Sequence, residues 1–279
     1  MNRSRLILPE GVEKDEETYS TTFGRFTMQP LERGFGVTIG NSLRRVLLSS
    51  LHGAAITHVK IDGVVQEFST LPGIVEDVSE ILLNLKQVWL KLLDTKPDKI
   101  NFELNGPHIF TAKDIQDASS GIEILNPDHQ IATLNEDATL NIELRVGRGR
   151  GYLPAEENKL PEQDVNTIQL DAVFNPIRRV NYKIDNVRVG DKTDYEKLTI
   201  EVTTNGSVTP DDALTYAGKI IKDHIDQFIS FEVQIDEEED HGRIDEEALR
   251  IRKLLKLNVE ELELSVRSHN CLKSAKIKT

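Results

Sequence analysis

The segment from Leu31 to Gly53 constrains the fold most, because it places apolar and polar side chains on different faces of one predicted helix. Its apolar side chains recur at three- and four-residue steps, as on a helix face that packs against a neighbour: Phe35, Ile39, Leu43 and either Val46 or Leu47. A second, polar face carries Thr38, Asn41 and Arg45. Gly34 and Gly36 are expected to precede the helix at a turn, whereas Gly40 lies inside it and costs about 1 kcal/mol relative to Ala unless a neighbour packs closely. The segment therefore predicts a helix in tight contact on one side and polar on another.

The composition limits the classes of protein to which the chain can belong. It has 279 residues, and Asp and Glu outnumber Lys and Arg by 47 to 34, which gives a formal charge of -13. This charge argues against a surface devoted to nucleic acid, so any DNA contact must be local. Cys271 is the only cysteine, which excludes an intrachain disulfide and a four-thiolate metal site and favours a reducing, cytoplasmic setting. We expect neither a membrane span nor a signal peptide, because no apolar run is long enough.

The first half of the chain combines two predicted helices with many short strands. A strand over Tyr19–Gln29 leads into the first helix, and Asp62-Gly63 predicts a hairpin-type turn. The second helix follows, with an apolar stripe formed by Ile74, Val78, Ile81, Leu82 and Leu85. Alternating runs between Val88 and Val146 predict a β-rich module. Two segments at its edge are expected to be exposed loops, Arg145–Pro154 and Ala155–Thr167.

The clearest hairpin and the clearest helix come after this module. Residues 179–190 and 197–206 alternate as two strands joined by a turn. A helix over Thr209–Phe231 begins with Thr209 as N-cap and Pro210 at the first helical position, and Asp212 completes a capping box. Its broad apolar stripe consists of Leu214, Ala217, Ile221, Ile225 and Phe228. The acidic segment Glu232–Arg250 predicts a flexible linker, and the residues after it become helical again.

Patterns alone leave several interpretations open. The run GRGRGY at 147–152 lacks the Lys-Ser or Lys-Thr of a phosphate-binding loop, so a basic exposed loop is the better interpretation. Arg44 and Arg45 are either a solvated helix face or a surface for a partner's carboxylate or backbone. The broad stripes of the two helices belong either to a core or to helix–helix dimerisation. The seven histidines are scattered and no nucleophile elbow is present, so we expect no metal, no other cofactor and no catalytic residue.

Long blocks of the sequence resemble the alpha-subunit family of bacterial DNA-dependent RNA polymerase. The blocks are LERGFGVTIGNSLRRVLLSSLHG with its continuation to Lys86, RVGRGRGYLPAE, NPIRRVNYKIDNVRVGDKTDYEKLTIEVTTNGSVTPDDAL and LNVEELELSVRSHNCLKSAKIKT. The resemblance implies an α+β fold with a discontinuous dimerisation domain and an inserted, mainly β domain. The implied bounds are 1–52 with 179–231 for the dimerisation domain, 53–178 for the insert, 232–250 for the acidic linker and 251–279 for the start of a small helical DNA-binding domain.

The resemblance also implies partners and the residues that meet them. A non-catalytic homodimer would carry the beta subunit on one protomer and the beta prime subunit on the other, within a nucleotidyltransferase. Residues implied in the dimer interface are Phe35, Ile39, Leu43, Val46, Leu214, Ala217, Ile221 and Phe228. Arg45 is implied in beta binding, with Thr38, Asn41 and Arg44 beside it and Lys86 as a further assembly candidate.

The carboxy-terminal residues resemble the beginning of the family's DNA-binding domain. Arg267 and Asn270 match positions that contact the minor groove of A·T-rich promoter DNA, and Lys273 is placed to reach phosphate. Glu261 and Glu263 match positions that meet the sigma factor or activators. A complete domain of this family has several further helices after Thr279. We therefore expect 251–279 to be an incomplete domain, cut short in the sequence as given, whose DNA binding depends on those helices.

Two other functions remain as alternatives. A promoter-tethering regulator would act mainly through its carboxy-terminal tail. An independent phosphate-handling enzyme would use the GRGRGY run. A stable dimer formed by residues 1–235 favours the assembly subunit, a monomer favours the regulator, and turnover by the isolated chain is required by the enzyme.

Overall fold

A computed structural model describes residues 6–93, 98–159, 166–190 and 192–229. The predicted linker 232–250 and the predicted domain 251–279 lie outside the described residues. The same is true of the implied DNA and regulator contacts Arg267, Asn270, Lys273, Glu261 and Glu263. Among the described residues, no helix combines the length and apolar character that a membrane span requires.

The described chain alternates long strands with four α-helices. The helices are α1 (Phe35–Ser49), α2 (Val78–Lys86), α3 (Ala112–Asp117) and α4 (Pro210–Ile229), with a short 3-10 turn at Ala155–Glu157. The strands are β1 (Val12–Lys14), β2 (Phe23–Leu31), β3 (His52–Ile61), β4 (Leu90–Leu92), β5 (Asp98–Asn105), β6 (His108–Thr111), β7 (Ile122–Ile124), β8 (Gln130–Leu134), β9 (Thr139–Arg150), β10 (Tyr152–Leu153), β11 (Thr167–Gln169), β12 (Ala172–Val173), β13 (Ile177–Val189) and β14 (Lys192–Thr204).

The first sheet has the order β1-β2-β14-β13, and all neighbours are antiparallel. Helices α1 and α4 pack on one face of it. The enclosed apolar side chains, which we call the first core, are Phe26, Leu31, Leu47, Leu51, Ile177, Val180, Leu198, Ile200, Val202, Ala213 and Ala217. The predicted hairpin of β13 and β14 is confirmed, with Tyr182 opposite Ile200 and Val180 opposite Val202.

Helix α1 lies unusually close to this sheet because its buried face carries glycine. A Cβ atom at Gly40 would lie 2.9 Å from side-chain carbons of both Leu198 and Tyr182. The tight contact expected from the glycine inside the helix is therefore confirmed. Gly36, expected before the helix, lies instead in its first turn and is buried. Its missing side chain leaves room for the carboxylate of Glu196.

The second core is enclosed by the sheet β11-β3-β9-β5, by α2 and α3, and by the pairs β4–β7 and β6–β8. Its apolar residues come from positions 56 to 170, whereas those of the first core come from 26 to 51 and from 177 to 217. The α+β class with a discontinuous first part is confirmed by this arrangement, while the stated domain bounds stay a prediction. The turn expected at Asp62-Gly63 is confirmed, with Gly63 at φ 81° and the N–H of Val64 donating to the carbonyl of Ile61 at 3.2 Å. It does not form a hairpin, because β3 pairs with β9 and β11 and not with a strand that follows it directly.

Residues 147–150 of the GRGRG run are a strand and not the exposed loop that was predicted, and Gly151 follows in a bend. Residues 147–150 form the end of β9, where Gly149 lies opposite Gly53 of β3. A Cβ at Gly149 would lie 2.6 Å from the ring of Phe174, and one at Gly147 would lie 2.9 Å from Cγ2 of Thr57. These glycines therefore allow a close approach of neighbouring side chains to a strand.

The predicted start of α4 is confirmed. In α4 the hydroxyl of Thr209 accepts a hydrogen bond from the backbone N–H of Asp212 at 3.4 Å and donates one to its carboxylate at 2.7 Å. Helix α2 is capped by Asp77, whose carboxylate accepts from the N–H of Glu80 at 2.8 Å. Ile74, predicted on the stripe of α2, precedes that helix and forms an isolated bridge to Leu134.

Candidate protein-interaction surfaces

A carboxylate from a distant strand fixes the amino-terminal end of α1. Gly34 adopts φ 94°, and α1 has no side-chain cap of its own. Instead, the two carboxylate oxygens of Glu196 in β14 accept hydrogen bonds from the N–H groups of Gly34 and Gly36, each at 2.9 Å. Glu196 is buried, and a negative charge at this end of a helix is favourable. This contact anchors α1 against the sheet and so sets the position of both its exposed faces.

The outer face of α1 carries most of the polar stripe that the sequence predicted, and Thr38 lies at its edge, where it also lines the cavity between α1 and α4. Thr38, Asn41, Arg44 and Arg45 are all exposed on this one helix. Arg44 and Arg45 have no hydrogen bond or ion pair with any described residue. The hydroxyl of Thr38 donates its one hydrogen to the carbonyl of Gly34 at 3.1 Å, so it has no further hydrogen to donate to a partner. Two arginines are thus held on a rigid helix with their guanidinium groups unused.

Two apolar residues on the same side of α1 were missed by the sequence analysis. Val37 is 51% exposed and Leu48 is 37% exposed. They lie four residues before and seven residues after Asn41, so they share its face. Their positions could have been recognised in the sequence, because both residues lie outside the spacing of the buried apolar stripe. They were not informative by themselves, since single exposed apolar residues are common on protein surfaces. An apolar pair beside two unpaired arginines is a surface suited to protein contact.

An apolar groove of about 640 Å³ runs between α1 and α4 above the sheet. We call it the α1–α4 groove. Four of the residues implied in dimerisation line it together with Ile225, namely Ile39, Leu43, Leu214 and Ile221. Its floor includes Met28, Leu198 and Ile200. Apolar side chains on both walls therefore remain open to solvent in the single chain.

The apolar surface continues beyond the groove at both ends. Phe35 is 46% exposed at the start of α1. In α4 every residue from Lys222 to Ile229 is exposed, including Ile225 at 50%, Phe228 at 75% and Ile229 at 69%. The last two turns of α4 thus carry large apolar side chains with little contact to their own chain.

The assignment of Ala217 to a dimer interface is wrong. Its side chain has no exposed area and belongs to the first core, as do those of Ala213 and Leu47. Ala213 and Ala217 are one turn apart, and their small side chains let α4 approach the sheet. Val46 is half-buried and also packs against this core, so only part of it is available to a partner.

Lys86 lies apart from the α1 stripe, at the end of α2. Its ammonium group pairs with the carboxylate of Asp171 at 3.0 Å. The pKa of Asp171 is lowered, first by a hydrogen bond from the N–H of Ala155 and then by Lys86. Both members of the pair are partly exposed, so it contributes little to stability. Lys86 lines a cleft of about 470 Å³ in which Arg178 lies 4.6 Å from the ring centre of Trp89.

The described histidines and acidic residues do not converge as metal ligands. In residues 6–93, 98–159, 166–190 and 192–229, no group of three or more such side chains is placed to hold an ion. His58 is buried, with Nε2 donating to the carbonyl of Asn158 at 2.8 Å and Nδ1 lying 2.9 Å from the hydroxyl of Thr57. Burial lowers the pKa of His58, and Arg145 lowers it further.

Comparison with known proteins gives two family matches within the chain. Residues 59–175 match the RNA polymerase Rpb3/RpoA insert domain. Residues 245–279 match the C-terminal domain of the bacterial RNA polymerase alpha chain.

Three curated relatives show how far the similarity extends. The DNA-directed RNA polymerase subunit alpha of Chloroherpeton thalassium is 54% identical over 277 residues, which is 99% of this chain and 84% of the relative. The same subunit of Salinibacter ruber is 51% identical over 279 residues, covering 100% of this chain and 84% of the relative. That of Symbiobacterium thermophilum is 52% identical over 259 residues, covering 92% and 81%. The chain therefore belongs to the family of bacterial DNA-directed RNA polymerase alpha subunits.

Proposed function

We propose that the chain is the non-catalytic assembly subunit of its polymerase, which dimerises and then mounts the beta and beta prime subunits. The observation that carries the proposal is the open apolar surface formed by the α1–α4 groove and the exposed end of α4. A contiguous apolar surface of this kind on a folded protein marks an interaction site. The nucleotidyl-transfer chemistry then belongs to the large subunits, in the cytoplasm.

A second copy of the chain is the occupant that this surface fits. In a two-fold dimer the same patch meets itself, so an exposed helix end on one protomer can enter the groove of the other and receive the partner's helix in its own. Ile225, Phe228 and Ile229 supply the apolar side chains that project. Leu43, Leu214 and Ile221 supply the groove that receives them.

The exposed face of α1 that carries Arg44 and Arg45 remains available to a different partner at the same time. Arg45 is two residues from Leu43, which turns it by roughly 200° around the helix axis. Dimerisation through Leu43 therefore leaves Arg45, Arg44 and Asn41 facing outward. Guanidinium groups form forked hydrogen bonds with carboxylates and backbone carbonyls, and Val37 and Leu48 add apolar area. We assign this face to the beta subunit.

The tail is proposed to act in the same enzyme. Arg267, Asn270 and Lys273 would contact promoter DNA, and Glu261 and Glu263 would contact sigma factor or activators. Lys86 remains a weaker assembly candidate, because no described contact joins it to α1.

The test is capture of purified beta subunit by the full chain carrying Arg45→Ala. We expect the variant to remain a dimer of unchanged melting temperature and to lose beta capture, because Arg45 is exposed and lies off the groove. The matched control is Lys113→Ala, which removes an exposed cation from α3. Normal capture by the Arg45 variant would remove α1 from the beta-binding surface. A monomeric wild-type chain at micromolar concentration would contradict the platform itself.

A further inference from the structure

The GRGRG run places two arginines on one side of the second sheet. Successive side chains of a strand point to opposite faces. Gly147 and Gly149 face Thr57 and Phe174, so Arg148 and Arg150 point the other way. Both are exposed, and in the register of β3 and β9 they lie opposite Ala54 and His52. The alternation thus allows close packing against the glycines on one face of the strand and places the two arginines together on the other face.

A small cleft beside this pair is lined by Arg148 and by a second basic side chain, Lys91. It has a volume of about 190 Å³, and His52, Lys91, Arg148 and Ser207 supply its polar side chains. The rest of its lining, formed by Gly53, Ala54, Leu90, Leu92 and Val208, carries no charge, so within the described structure no acidic side chain lines it. We call it the arginine cleft.

The positive charge at this cleft is not neutralised by the chain itself. Arg148 and Arg150 make no hydrogen bond or ion pair with a described residue. Lys91 has Glu123 at 3.8 Å, and both side chains are about half exposed, so this pair is weak. The pKa of His52 is lowered, first by burial and then by repulsion from Arg148 and Arg150. In a chain of formal charge -13, Arg148 and Arg150 therefore carry positive charge that no described acidic side chain neutralises.

Offsetting the negative charge at the carboxy-terminal end of α1 requires only part of this positive charge. The carboxy-terminal end of a helix carries about half a negative charge, and a neighbouring cation offsets it. The last turn of α1 has no basic residue, and a Cβ at Gly151 would lie 3.1 Å from the carbonyl of Ser49. Arg150 lies opposite His52, three residues after the end of α1, so it is near enough to offset that partial charge. One arginine is sufficient for half a charge, so the charge of Arg148 remains in excess.

We propose that the arginine cleft binds a carboxylate of the protein partner that docks on α1, extending the Arg45 surface past the end of that helix. The inference rests on the proposed function. Its geometric basis is continuity along the chain. Arg45 lies four residues before Ser49, the last residue of α1, and His52, three residues beyond Ser49, lies opposite Arg150 in the pairing of β3 with β9. A protein carboxylate is favoured over nucleic acid, since a long polyanion would also meet the acidic remainder of the chain.

The experiment compares two charge-reversed full chains in binding to purified beta subunit. Arg148→Glu with Arg150→Glu reverses the cleft. Lys113→Glu with Lys183→Glu makes the same change in net charge on exposed residues of α3 and β13. We expect the first variant to bind about tenfold more weakly or worse, mainly through slower association at low salt, and the second to stay within about twofold of the wild type. Both should keep the mass of a dimer and the wild-type melting temperature.

Three results would overturn parts of the argument in distinguishable ways. If the cleft variant binds beta like the wild type while Arg45→Ala does not, the carboxylate subsite is wrong and the proposed function stands. If neither the cleft variant nor Arg45→Ala weakens binding to beta, the assignment of α1 to beta is wrong as well. If the cleft variant loses affinity for a short DNA duplex and keeps its affinity for beta, the ligand is a phosphate and the carboxylate is excluded.

Discussion

Replacement of Phe228 by Ala separates the interface from the fold more cleanly than any change in the groove. The side chain is 75% exposed, so its loss removes little that the chain uses by itself. Burying a whole Phe side chain contributes about 1.5–3 kcal/mol, so the exposed three-quarters leave about 1–2 kcal/mol for a partner. In a two-fold dimer the substitution is present in both protomers, so the loss of binding free energy is about 2–4 kcal/mol, or roughly a 30- to 700-fold increase in the dimer Kd. The protomer's own stability should change by less than about 0.5 kcal/mol.

Phe68 provides the matched control, because it is the same residue type and is 86% exposed on the loop before α2. Sedimentation velocity over a dilution series gives the Kd of the wild type, of Phe228→Ala and of Phe68→Ala. We expect only Phe228→Ala to dissociate at a higher concentration than the wild type.

Two outcomes would refute this reasoning. Equal dimer Kd values for the two variants would show that the end of α4 takes no part in the interface. A large fall in the melting temperature of Phe228→Ala, measured at fixed protomer concentration, would show that the side chain is needed within its own chain. The paired changes Leu214→Asp and Ile221→Asp are a harsher test of the same surface, yet Leu214 also packs on the first core, so they damage the fold as well.

Two further predictions concern buried polar groups. Glu196→Ala should lower the stability of the chain by about 2–3 kcal/mol, because two N–H groups at the start of α1 lose a charged acceptor, and Glu196→Gln should recover about half of that. Urea midpoints at fixed protomer concentration measure the loss, and a change within about 0.5 kcal/mol would contradict the anchoring of α1. His58 should make stability depend on pH, because its pKa is lowered from 6.5 in the folded chain, so that below about pH 6.5 the unfolded chain binds a proton that the folded chain does not. This contribution to stability should therefore be complete about one unit above pH 6.5 and be lost progressively as the pH falls below that value, by up to about 1.4 kcal/mol per pH unit. His58→Gln should reduce the pH dependence of the urea midpoints and leave the contribution of His52, whose pKa is also lowered.

Local pattern was sufficient where neighbouring residues determine the structure. The periodic stripe of α1, the Thr209 cap of α4 and the alternation of β13 and β14 all depend on residues within a few positions of one another. Such features are encoded by spacing and are therefore legible in a single sequence. The exposed position of Arg45 also follows from spacing, because it lies nearly opposite Leu43 on the helix.

Sequence patterns gave a wrong prediction where one residue type can serve two different structural roles. The glycines at 147 and 149 were interpreted as loop residues, whereas they allow Phe174 and Thr57 to approach a strand. Ala217 continues the apolar stripe of α4, but a stripe cannot reveal which of its members face the same chain and which face a second copy. Resemblance to a family supplied the idea of a dimer, yet it did not separate the buried Ala217 from the exposed Phe228.

The sequence by itself determined most element types, the start of α4, the two faces of α1 and the family to which the chain belongs, because these depend on local spacing or on extended similarity. Only the tertiary structure brought Glu196 to the start of α1, 160 residues away from Gly36. It alone placed Arg150 opposite His52 and left the end of α4 uncovered. The physical reason is that strand register and helix docking are decided by the whole packed core, which minimises exposed apolar area over residues far apart in the chain.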